Sequence, residues 1–172
     1  MLLATYALLT LTIEQQCERL SIQALQHVLA SPANLAHCNC AALSTRSEAL
    51  ILLAESRHQF RLENTLFPAL RAASGDAARS LRTLEELGCA GRKMLPRLRA
   101  VVRPVAVSSQ HRSTRACRLV QAYCHNLLER LACEEALLPL AQQLLSSDVW
   151  CAVGAEFLRQ DAERTARARP WP

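Results

Sequence analysis

The stretch HRSTRACRLVQAYCHNLLERLACEEALLPLAQQLL, residues 111–145, repeats apolar side chains every three or four positions and contains no glycine. At about 100° per residue, Ala116, Val120, Leu127, Leu131 and Leu138 fall on one stripe of a long helix. Glu134 lies within that stripe, and Arg130 stands one turn before it at the stripe's edge. Such a helix gains its stability by burying the stripe against neighbours.

Working outward, breaks in the pattern isolate those neighbours. Pro32 in SPANLAHCNC, Ser74-Gly75-Asp76, and Pro104 with VAVSSQ interrupt helical periodicity. The spacing predicts helices near 5–30, 43–73, 77–103 and 111–145, then a short fifth from 148 to 160. Ser146 or Ser147 is placed to cap that last helix, with Asp148 in its first turn. Four long segments on short connections predict an all-α, antiparallel up-down four-helix bundle over residues 1–160. The Arg-rich, proline-ended residues 161–172 are expected to form a flexible tail.

The inward stripe of the first helix reads as Leu9, Ile13, Cys17, Leu20, Ala24 and Val28, with Cys17 at its centre. The second offers Leu52, Leu62, Leu66 and Leu70, with Phe60 and Phe67 beside them. Glu55, Gln59 and Glu63 share that stripe and need partners if buried. On the third, Leu84, Leu95, Leu98 and Val102 flank Gly88 and Gly91, each costing about 1 kcal/mol of helix propensity.

Composition agrees with packed helices. The chain is 51% hydrophobic and 4% aromatic, with only 4 glycines in 172 residues. The net charge of +5 comes from 20 basic residues, all arginine except Lys93, spread along the chain. Without a basic cluster backed by aromatic stacking residues, nucleic-acid binding is not expected. MLLATYALLTLTI at the start is too short for a membrane span and runs on into helical EQQCER, so it reads as core helix. The 8 cysteines fall mostly inside helical patterns and form no CxxC, as expected of reduced thiols in a cytoplasm. Absence of GxSxG, HExxH and a glycine-rich phosphate loop argues against an enzyme. Cys17 lacks a nearby histidine or helix N-terminus to activate it and reads as a core thiol.

Two segments carry a family resemblance. HQFRLENTLFPAL (58–70) resembles the second-helix signature of bacterial hemerythrin-like (HHE cation-binding) domains. LLERLACEEALLPLAQQLLSSDVWCAVGAEFL (127–158) is similar to that family's fourth helix and the short Asp-Trp helix after it. The resemblance implies a bundle housing two carboxylate-bridged irons, ligated by histidines beside a dioxygen pocket. Carried over, the ligand set mostly fails. The first-helix histidine falls on Cys17. The second-helix His-Glu pair falls on His58 with Leu62, or on Gln59 with Glu63. The third-helix histidine falls near Gly88 or Cys89, and the fourth falls on Arg130, with only Glu134 in place.

Other histidines do not restore the set. His125 and Glu129 lie opposite the Leu127/Leu131 stripe and are expected in solvent. His27 and His111 lie near helix ends. His37, Cys38 and Cys40 form a compact loop cluster whose spacing matches no closed zinc motif. Carboxylates stripped of two irons would be buried without compensation. Arg130 answers this: it precedes Glu134 by four residues and has donors enough to reach Glu63, and Gly88 and Gly91 leave room for it. The expectation is a buried Glu63, Arg130 and Glu134 network, no cofactor, and a non-catalytic structural or partner-binding domain. The alternative keeps the family's chemistry, with iron, dinuclear or mononuclear, binding oxygen or nitric oxide at His58, Glu63 and Glu134 with Cys17.

Overall fold

The computed structural model of the chain describes residues 2–30, 57–102 and 110–168, and these are helical almost throughout, with no strand among them. Helix α1 spans Leu2–Ala30. Next, α2 (Arg57–Arg61), a π-helical turn (Leu62–Leu66) and α3 (Phe67–Ala73) follow one another without a break. A 3-10 turn at Gly75–Ala77 leads into α4 (Ala78–Val102), followed by α5 (Gln110–Leu144) and α6 (Ser147–Ala168). The cluster His37, Cys38 and Cys40, together with Leu52, Glu55 and Pro104, lies outside the described residues.

The π-helical turn has a cause in the sequence. Pro68 has no N–H to offer the Asn64 carbonyl, and its ring crowds that position. The turn before it widens, and the Phe67 N–H bonds Leu62 O, five residues back. The extra residue lets Leu66 and Phe67, adjacent in sequence, both be buried beside Leu62 and Leu70. Phe60, expected beside that face, is instead 52% exposed.

On α1 the expected stripe is wrong. Leu9, Ile13 and Leu20 are exposed at 56, 60 and 64%, and Cys17 and Ala24 also face outward. The buried side is Ala7, Leu11, Gln15, Glu18, Ile22 and Leu25. The N-terminal half of α1 is apolar on nearly every side, so either stripe satisfies its periodicity. Burial of Gln15 and Glu18 is decided by what faces them, which local pattern does not contain. Close approach to α6 also fixes the rotation of α1. A Cβ at Gly154 would stand 2.1 Å from the Leu3 carbonyl oxygen, so only glycine permits the contact.

The core falls into two apolar clusters. Ile22, Leu25, Leu95, Leu98, Val120, Tyr123 and Leu127 build one, and Leu11, Leu62, Leu66, Leu70, Leu84, Leu137, Trp150 and Phe157 anchor the other. Gln15 and Glu18 on α1 and Arg130 and Glu134 on α5 fall at the junction of these clusters, forming a polar layer inside an apolar core. Leu137 takes the buried place expected of Leu138, which is only partly buried. Leu127 is 4% exposed, so Leu127→Ala is expected to cost about 2–5 kcal/mol by transfer and cavity terms. An unchanged urea midpoint would contradict this placement.

The fifth helix is not short. It is capped as expected, the Ser146 hydroxyl accepting from the Val149 N–H at 3.3 Å. It then continues past 160 to Ala168, so residues 161–168 are helix and not tail. Asp161, at the expected boundary, is tied into the protein by Tyr6 and Arg61.

Candidate functional site

The polar layer centres on Glu134, 2% exposed on α5. Both its oxygens are engaged. Arg130 Nε, one turn earlier on the same helix, donates to Oε1 at 2.8 Å, and His58 Nε2 from α2 stands 2.7 Å from Oε2. Arg130 Nη2 reaches Glu63 Oε1 at 3.4 Å, joined there by Gln59 Nε2 at 3.1 Å and Arg92 Nη1 at 3.2 Å. The expected pairing of Arg130 with Glu134 and Glu63 is present, but Glu63 is 35% exposed and not buried as expected. Gly88 leaves it room: a Cβ there would stand 3.2 Å from Arg130 Nη1.

His58 and Glu63 were alternatives in two helical registers, yet both are used, on Glu134 and Arg130 respectively. In a uniform α-helix five residues set side chains about 140° apart. Arg130 bridges that angle, its Nε on the Glu134 carboxylate that also meets His58 and its Nη2 on Glu63.

Several members were not foreseen. Glu14 Oε2 lies 3.6 Å from His58 Nδ1, an ion pair too long for a hydrogen bond. Arg61, 2% exposed, pairs with Glu14 and with Asp161, the latter at 2.5 Å, while its guanidinium lies 4.9 Å from the centre of the Phe157 ring. Tyr6 donates to Asp161 at 2.6 Å. Glu14 and Glu18 are one turn apart on α1, a spacing visible in the sequence once its rotation is known. Cys17, their neighbour, points away and takes no part. His125 and Glu129 are exposed as expected, and His27 is exposed too.

Charge placement sets the protonation. Burial works against a charge on His58, but the hydrogen bond and charge of Glu134, with Glu14, outweigh it and raise the imidazole to about 9. Burial likewise opposes the Glu134 carboxylate, yet His58 and Arg130 hold it below the ordinary range. Glu18 makes no such bond, and burial pushes it up to about 7. His58 is thus a cation at neutral pH, making Arg130, Glu134 and His58 a buried anion held between two cations.

A metal does not fit this arrangement. Arg130 places a permanent cation on Glu134, and among the described residues no group of three or more His, Cys, Asp and Glu could hold an ion. Cys124 is buried and its thiol is pushed up to about 11, far from thiolate chemistry at neutral pH. No helix among the described residues is long and apolar enough to cross a membrane. No family model, curated protein or solved structure matches the chain.

Proposed function

We propose that the chain is a non-catalytic domain of the hemerythrin-like kind, an antiparallel four-helix bundle with a fifth helix, in which a network of side chains stands where the family keeps iron. The observation that carries this reading is Glu134, with one oxygen on Arg130 and the other on His58. A guanidinium and a protonated imidazole supply the positive charge that a buried carboxylate requires. The domain acts through its surface, as a structural or partner-binding unit in the cytoplasm. Cys124, buried within α5 and not in a disulfide, supports that compartment.

The test is metal content. Protein expressed with abundant iron is expected to purify without it, and added ferrous iron is expected to leave its Tm unchanged. One iron or more per chain, or an oxo-bridged absorption band, would overturn the reading in favour of iron chemistry at His58, Glu63 and Glu134.

A further inference from the structure

Beside the charge network a half-open recess of about 240 Å³ lies between the π turn, α4 and α5. Its charged lining is two arginines and one carboxylate: Arg92, Arg130 and Glu63. Arg130 is 5% exposed and its orientation is fixed by Glu134, so a charged group is held rigidly at the inner end. Arg92 is half-exposed at the outer end.

Gly88 marks where these groups converge. A Cβ at that position would lie 3.2 Å from Arg130 Nη1, 3.4 Å from Arg92 Nη1 and 3.4 Å from Glu63 Oε1. Lack of a side chain there leaves a gap between two guanidiniums, floored by backbone. Glu63 lies against this gap and accepts on one oxygen from Gln59, Arg92 and Arg130 at 3.1, 3.2 and 3.4 Å. These contacts are longer than the 2.7–2.9 Å usual for charge-assisted bonds. Glu63 is thus a carboxylate loosely seated among donors, on a side chain 35% exposed and able to swing out.

The remaining walls mix apolar side chains, Tyr123, Leu87, Leu95 and Leu127, with the amides of Gln59, Asn64 and Asn126, and Phe60 is exposed at the rim. That volume is enough to admit a small organic anion. The excess of one positive charge selects an anion, and the Tyr123 and Leu127 side chains offer an apolar surface to the rest of the molecule.

We propose that this recess is a binding site for a small aromatic carboxylate, its carboxylate bridging Arg92 and Arg130 over Gly88 in place of Glu63 and its ring against Tyr123 and Leu127. Glu63 is the built-in competitor, occupying the same donors when the site is empty. The inference does not rest on the hemerythrin-like reading, since it uses neither iron nor the bundle's ancestry.

Benzoate is the probe. Titrated into the full chain, it is expected to bind saturably, shifting the backbone amide resonances of Gly88 and Gly91 more than those of α6. Arg92→Met is expected to weaken binding about tenfold, as loss of a charge-assisted pair does. Glu63→Gln, which removes the competing charge while keeping the shape, is expected to tighten it severalfold. Benzamide, of the same shape without charge, is expected not to compete. Both substitutions are at partly exposed side chains, and circular dichroism checks that each variant stays folded. Absence of saturation, shifts centred elsewhere, or equal affinity in wild type, Arg92→Met and Glu63→Gln would each overturn the proposal.

Discussion

Arg130→Met is expected to destabilise the fold by about 3–5 kcal/mol, because it leaves the Glu134 carboxylate buried with half its compensation removed. Met matches the stem of arginine closely, so the loss is electrostatic and not one of packing. His58 alone then balances Glu134, while Glu63 keeps Arg92 and Gln59 and, being partly exposed, contributes little to the change. Arg130→Met with Glu134→Leu is expected to recover much of the loss. No uncompensated carboxylate remains, and His58, losing its strongest partner, gives up its proton. Urea denaturation of the wild type, both single variants and the double variant measures the coupling. A double variant as unstable as Arg130→Met would show that the cost lies in packing around residue 130 and not in the stranded charge. Glu134→Leu alone leaves the buried Arg130 guanidinium with only the partly exposed Glu63 to balance it, so it too is expected to be destabilised.

The part of this network that the sequence revealed is the part carried by regular helical spacing. Arg130 and Glu134 are four apart on one strongly periodic helix, so their juxtaposition follows from geometry, and Glu63 follows from its place on a facing stripe. Gly88 pointed the same way, since a glycine inside a helix is unfavourable unless something needs its space. What the sequence hid depended on rotations that local pattern leaves free. In α1 two apolar stripes compete, and the correct one is distinguished only by carrying Glu14, Gln15 and Glu18 toward His58 and Arg61. The Arg61 site is more remote still: Asp161 is a hundred positions away, on a helix whose polar continuation past 160 reads as a tail. A polar segment is read as solvated until the buried cation it serves is known.

Raising the pH from about 6 to about 9 is expected to destabilise the protein steadily, and His58 is the main cause. Folded, the imidazole titrates near 9, against an ordinary 6.5 for the unfolded chain. Across that interval the folded state holds a proton that the unfolded state has released, so stability falls as pH rises. The contribution is fully present below about 6.5 and gone above 9, and a shift of this size corresponds to on the order of 3 kcal/mol. Glu18 acts with the same sign in a lower window, since burial raises it from 4.5 to about 7. Its protonated form is favoured by folding, and that contribution is lost as pH climbs through 7. Glu134 has the opposite sign: its carboxyl is held low, so its contribution is present at neutral pH and lost only in acid. Stability is therefore expected to be greatest on the acid side of neutrality. Urea midpoints measured at about pH 6, 7, 8, 9 and 10 trace the curve, and His58→Gln separates the two windows. That variant starts less stable, because Glu134 loses a cation, but its slope between about 6.5 and 9 is expected to flatten while the Glu18 fall at lower pH remains. A wild-type midpoint that holds level or rises across 6.5 to 9 would mean that His58 is neutral in the fold, and that Arg130 alone carries the charge balancing Glu134.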